Sequence, residues 1–449
     1  MKYDNKNTIY LKISLVLFLF AVSILLMTVG EGIWGGILAL GTLVIISWII
    51  SKFELMHPLT WFPPIFFLYS ISYPLLVTLG ELPNTYDKNI EVLFIQWIAL
   101  ATFIVVMNTS SKKKVEINTS SLKNLMPIVT PIFWTSISIT ALYVAYVYSS
   151  GLTSKYAIAL DNSPLGILAS FFPIVVISFA LIMANQLGIK GRVPKGFLLI
   201  AILYGLVVLF VLGERDFILK LLIITIFMYH VLKNRISKKK LIASGIIIIS
   251  IIPILGDLKN RAFGQSEMTV YGGDFIADIL SGEFMAAGRN LANLLSNEGV
   301  VWSHFWGETL IWDIKVLFSA GFSPGAWFNN TFHPDLIARG GGNGFTLVGE
   351  GYMNFGVIGV VVFFAVLALF LKFLYNKALK NVVWLSIYIV TIPLAVYVIR
   401  ADFATLLTQF SKQIVLPILI IFIVKSILDG IPKLNKTKQY ENKYFKYYH

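Results

Sequence analysis

Twelve runs of predominantly apolar residues, each close to the roughly 17 to 25 needed for a helix to cross a hydrocarbon layer about 30 Å thick, dominate this chain. They fall at about 11–30, 33–50, 59–79, 91–108, 128–148, 165–187, 197–213, 216–232, 241–256, 356–375, 382–400 and 413–430. In hydrocarbon every backbone N–H and C=O needs an internal partner, so runs of this length are read as helices. The expected fold is an all-α polytopic membrane protein with about twelve transmembrane helices. A charged fraction of 13%, against about 25% in soluble domains, leaves no room for a large soluble unit. Pro residues in the third, sixth and eleventh runs read as kinks.

The connections are short except for one. Residues 1–256 hold spans one to nine, 257–345 form a single large loop, 346–430 hold spans ten to twelve, and 431–449 form a basic tail. Lys and Arg gather in alternate connections and at both ends, including "SKKK" at 111–114 and "KNRISKKK" at 233–240. Positive charge stays on the cytoplasmic side, which puts both termini inside and the large loop outside. The net charge of +13 is thereby a topology signal, and no nucleic-acid-binding role is read from it. With no cysteine, disulfides and thiolate metal sites are excluded. The first run lacks a small-residue cleavage site and reads as an uncleaved span. In the loop, 274–298 has apolar residues near a helical period, so short helices on the outer membrane face are expected. Its tryptophans, Trp302, Trp306, Trp312 and Trp327, suit an interfacial belt or sugar stacking.

Separating the two basic residue types is more informative than their sum. Of 29 lysines, 23 fall inside, whereas five of seven arginines fall outside: Arg215, Arg261, Arg289, Arg339 and Arg400. Arginine's planar fork grips phosphate or carboxylate through two parallel hydrogen bonds and stays charged when desolvated. These five are candidate ligands for a phosphate or pyrophosphate, the alternative being local ion pairs in "GERDF" and "IRADF". Arg215 and Arg400 stand at span ends, where ionisable residues mark functional sites.

Two side chains are candidate acid–base groups. His333, in "NNTFHPD", is a turn residue or a base, and Glu350, in "LVGEGYMNFG", stands where the chain re-enters the membrane. The stretch 338–359 carries eight glycines, yet "GGGNG" is neither a phosphate-binding P-loop nor a dinucleotide fingerprint. Neither external histidine, His304 or His333, has a metal-ligand spacing. No cofactor and no metal are expected, so the energy for any reaction has to come from an activated substrate.

About twelve spans, "GERDF" between two of them, a large late external loop, "GFTLVGEGYMNFGVIG" and "IRADF" together resemble the O-antigen polymerase family, the repeat-unit polymerases of bacterial surface polysaccharides. Arg261 and Gly272 also stand in the ten-residue spacing quoted for that family. The resemblance implies a multi-pass glycosyltransferase of the bacterial cytoplasmic membrane, working at its outer face. It would join oligosaccharide repeat units carried on undecaprenyl pyrophosphate, among membrane lipids, with a repeat-unit flippase and a chain-length regulator as possible partners. Arg215, Arg339 and Arg400 would clamp the pyrophosphate, and Glu350 or His333 would take the proton from the attacking hydroxyl. An O-antigen ligase, with the same donor and a different acceptor, and a flippase of lipid-linked saccharides remain the alternatives.

Overall fold

The computed structural model describes residues 6–108, 117–152, 157–158, 161, 163–245, 247, 277, 279–318, 322–338 and 342–430. Among the described residues the chain is helical, without a strand and with two isolated bridges. The first half contributes α1 (Lys6–Thr28), α2 (Gly32–Ser51), α3 (Pro58–Thr78), α4 (Asn89–Met107) and α5 (Ser120–Ser149). A 3-10 segment, Pro164–Phe171, then leads into α6 (Phe172–Gly188), α7 (Lys195–Leu212) and α8 (Arg215–Leu232).

Nine helices among the described residues are long and apolar enough to cross a membrane. They account for nine of the twelve runs. The first run is α1, whose shorter apolar stretch is Ile13–Thr28. The eighth is α8, whose first turns carry Arg215, Asp216 and Lys220. The ninth run is described only at its start, and Arg261, Arg339 and the tail after 430 lie outside the described residues.

The large loop contributes a π turn (Leu280–Phe284), α9 (Met285–Ser296), α10 (Glu308–Val316), α11 (Pro324–Phe332) and α12 (Pro334–Ala338). The stretch expected to lie on the membrane face is docked on protein. Ala287, Leu291 and Leu294 of α9 are buried, and Gly288 sits so close to α3 that a Cβ there would stand 3.1 Å from the Cβ of Tyr73. Trp302 is buried and donates its indole N–H to the Leu294 carbonyl at 2.9 Å, whereas Trp306 is exposed.

The chain closes with α13 (Leu347–Ala378), α14 (Val382–Tyr397), a 3-10 turn (Val398–Arg400), α15 (Phe403–Phe410), a π turn (Ser411–Val415) and α16 (Leu416–Gly430). Helix α13 starts nine residues before the apolar run read at 356, and the difference has a local cause. At Phe355 and Gly356 the helix breaks, with Gly356 at φ +58°, a conformation open to glycine. Across the break the two halves touch: a Cβ on Gly359 would fall 1.9 Å from the Gly351 carbonyl oxygen. One short helical segment, Leu347–Asn354, is thus folded against the start of the span proper, and it carries Glu350.

Candidate functional site

The "IRADF" turn between α14 and α15 gathers much of the chemistry. Asp402 caps α15: its Oδ1 accepts from the Thr405 amide at 2.8 Å and its Oδ2 from the Gly325 amide, also at 2.8 Å. The second bond ties the turn to α11, and a side chain at Gly325 would meet Asp402 at 2.8 Å. The next amide, that of Phe403, donates to Glu350 Oε2 at 2.6 Å. Carboxylates on helix-start amides are strong, charge-assisted contacts, so Asp402 and Glu350 together fix the turn just after Ala401.

Glu350 is fully buried and belongs to a polar knot beneath that turn. The Thr309 hydroxyl donates to its Oε1 at 3.4 Å, and Asn354 donates to Thr309 at 2.6 Å and to the Glu350 carbonyl at 2.9 Å. Asn354 Oδ1 in turn accepts the Gly307 amide at 3.0 Å, holding the start of α10. Asp313, on α10 and 1% exposed, faces Glu350 closely enough to share a hydrogen bond. Two ionised carboxylates offer no donor to each other, and neither Asp313 oxygen has a well-aligned donor among the described residues. A proton therefore bridges the pair. Burial first, and then the charge of Asp402, push the Asp313 carboxyl up to about 7, against the opposing pull of that hydrogen bond and of the Ala404 amide.

Above the knot lies the glycine loop. Asn329 of α11 donates to the Gly325 carbonyl at 2.7 Å and to the Asn343 carbonyl at 2.9 Å, and its Oδ1 accepts the Asn343 amide at 2.7 Å. The following residue, Gly344, accepts from Asn290 of α9 and presses on the 3-10 turn, where a Cβ would lie 2.5 Å from the Arg400 carbonyl oxygen. Glycine is required there by contact with backbone, which has no rotamer to yield. The loop thus locks Arg400 between α9 and α11.

Among the described residues, Arg215, Arg289 and Arg400 divide around one face of α3. Arg400 lies over the Tyr397 ring, its Cζ 4.9 Å from the centroid. Its charge is felt by Arg215 at the start of α8, and both guanidiniums act on the buried Tyr69 hydroxyl. One turn along α3, Tyr73 feels Arg289 of α9, which also acts on His333. His333 ends α11, its ring 5.5 Å from that of Phe328. Its Nε2 is buried and without a hydrogen-bond partner among the described residues. Burial, with Arg289 adding to it, lowers the pKa of His333 below 6.5, so the imidazole is neutral at pH 7.

The fold thus brings Arg215 and Arg400 to Tyr69, and Arg289 and His333 to Tyr73, while Glu350 stands in the knot that fixes Arg400's turn. Asp313, Asn290, Asn329 and Tyr69 were not singled out from sequence. Asn329 and Asn290 sit in short helices whose role emerges only when α9 and α11 close on the glycine loop. Asp313, in "LIWDIKV", offered the one readable signal, a carboxylate flanked by apolar residues.

Residues 320–430 match the family model described as O-antigen polysaccharide polymerase Wzy. That segment contains the glycine loop, His333, Glu350 and Arg400, and the match supports an O-antigen polymerase role in polysaccharide synthesis. Together the match and the apolar helices point to a multi-pass membrane protein that, over this quarter of its length, is similar to a family of polysaccharide-polymerising enzymes. No curated protein and no solved structure matches the chain.

Proposed function

We propose that this chain polymerises oligosaccharide repeat units carried on undecaprenyl pyrophosphate, at the outer face of a bacterial cytoplasmic membrane. The observation that carries the reading is the convergence of Arg400, inside the matched segment, with Arg215, outside it, on Tyr69. Two guanidinium forks gathered in one region suit a polyanion, and a pyrophosphate supplies the charge and the paired oxygens that they fit.

In this reading Arg215 and Arg400, with Arg289 and Arg339 contributing, bind the donor pyrophosphate. The acceptor sugar hydroxyl attacks the anomeric carbon, its proton passes to the His333 imidazole, and the bond from that carbon to the phosphate oxygen breaks with its electron pair on the pyrophosphate. The arginines stabilise the charge that develops there. Glu350, sealed from solvent and hydrogen-bonded to the Phe403 amide, serves as a positioning group that sets the turn carrying Arg400. The arrangement uses no nucleotide sugar. Arg261 is retained as a further candidate pyrophosphate ligand, and partnership with a flippase and a chain-length regulator belongs to the same proposal.

The test is reconstitution. Lipid-linked single repeat units, extracted from cells lacking this chain, are given to the purified protein in lipid vesicles. A ladder of polymer is expected from the wild type, with Arg215→Gln and Arg400→Gln each lowering the rate by about 100-fold or more. Transfer onto a lipid A core with no ladder would make the chain a ligase, and translocation without glycosidic bond formation would make it a transporter.

A further inference from the structure

A second polar site lies on the other side of the α8 helix start. A cavity of about 350 Å3, within the range of roughly 300–1,000 Å3 typical of small-molecule sites, opens between α5, the 3-10 segment before α6, α7 and α8. Its walls include Phe172, Phe217 and Tyr143, and its polar groups are Glu214, Asp216, Lys220 and Gln413. Lys220 is 4% exposed and donates to Asp216 and, at 2.6 Å, to Gln413 Oε1.

Three observations set the chemistry of its occupant. Glu214, Asp216 and Lys220 sum to a net charge of about −1, and Asp161, whose charge reaches Tyr143, adds another, so phosphate is disfavoured and hydroxyl donors are favoured. Aromatic rings beside carboxylates and an amide suit a sugar, whose C–H face packs on a ring while its hydroxyls hydrogen-bond at the rim. Gln413 belongs to the five-residue π turn Ser411–Val415, an irregularity that recurs at functional sites and here brings the amide to Lys220.

Position sets which sugar. Arg215 is absent from the cavity wall and acts towards Arg400 and Tyr69, while its neighbours Glu214 and Asp216 line the cavity. A helix with its side chains is about 10 Å across, so the arginine side and the carboxylate side of this one turn lie within a sugar or two of each other. Resting on the reading that the chain joins lipid-linked repeat units, we infer that this cavity seats the acceptor's glycan, with Asp216, Lys220 and Gln413 as its hydroxyl partners, while the arginines hold the donor.

The probe is the repeat-unit glycan freed of its lipid and pyrophosphate, which can fill an acceptor site but not an arginine site. Its binding to the purified protein in lipid nanodiscs is followed by saturation-transfer NMR, alongside the vesicle polymerisation assay. The wild type is expected to bind it; Ala169→Phe, which fills the cavity from its wall, and Gln413→Leu are each expected to weaken binding at least 10-fold, whereas Arg400→Gln leaves it unchanged. Equal binding by both cavity variants, or no binding by a wild type that does make polymer, overturns the inference. A wild type that binds the glycan and makes no polymer instead overturns the proposed function. Gln413→Leu guards against a folding failure of Ala169→Phe, because it removes a polar partner while adding little bulk to the wall, and Lys220 keeps Asp216.

Discussion

Replacing Asp313 by Asn tests the proton that bridges Asp313 and Glu350. Asp313 moves from an ordinary 3.8 to about 7 in the folded protein, a rise of roughly three units, and each unit is worth about 1.4 kcal/mol. The sign follows from which form burial favours. Below about pH 4 the group is protonated folded or unfolded and costs nothing. Between about 4 and 7 the unfolded chain ionises while the folded one does not, so folding stability falls as pH rises, and above 7 the loss levels off at about 4 kcal/mol. About 2 to 3 kcal/mol of that falls between pH 5 and pH 8.5. Asn keeps the shape, never ionises, and can donate to Glu350. Asp313→Asn is therefore expected to raise the apparent unfolding temperature of the purified protein at pH 8.5 much more than at pH 5. An equal shift at both pH values, or a loss confined to pH 8.5, would refute a shared proton.

The other predictions concern the turn, the base and the far end of the helices. Glu350→Gln keeps an acceptor for the Phe403 amide and is expected to retain most polymerisation, whereas Glu350→Ala orphans that amide at a cost of about 1–3 kcal/mol and lowers activity with expression; loss of kcat in the Gln variant at full stability would make Glu350 the base. Gly344→Ala drives a Cβ into the Arg400 carbonyl and is expected to cut the rate by about 100-fold through displacement of the guanidinium, read in the vesicle assay with protein level as control. With His333 as base, the rate rises with pH through a midpoint below 6.5, and Arg289→Gln, by removing a repelling charge, moves that midpoint upward; an unmoved profile in His333→Gln would remove it from the role. Between α2 and α3, Glu54 meets His230 at 3.5 Å and Arg235 at 3.9 Å, with His230 as the main cause that holds its carboxyl below the ordinary value. Its stabilisation is present at neutral pH and lost in acid, so Glu54→Gln is expected to cost at most about 1 kcal/mol at pH 7 and less at pH 4.

The spans were legible because length and apolarity are properties of single segments: α2 to α4, α6 with the 3-10 segment before it, α7 and α14 stand where the apolar runs predicted them, while α5 starts eight residues before its run at 128. The start of α13 was not, because its first turn is polar and glycine-rich and is helical only when packed under the "IRADF" turn, with Gly351 against Gly359. Arg215 and Arg400 could be singled out, since most of the basic residues in the connections are lysine and these two arginines stand at span ends. Their meeting at Tyr69 could not, since it depends on α3, α8 and the 3-10 turn being neighbours. The same limit hid Asn290 and Asn329, whose bonds run to backbone atoms 54 and 14 residues away.

"GERDF" shows what three dimensions add to a motif of five letters. Read along the chain, its alternating charges are equally an ion-paired turn or an anion site. On the helix they separate: Asp216 turns to Lys220 and the cavity, and Arg215 turns to Arg400. Residues one apart on a helix do not share a face, so a run of opposite charges at a helix start sorts itself into a cationic side and an anionic side. On the proposed function that division suits two lipid-linked substrates, because the donor reacts at the anomeric carbon beside its pyrophosphate, whereas the acceptor reacts through a sugar hydroxyl and keeps its own.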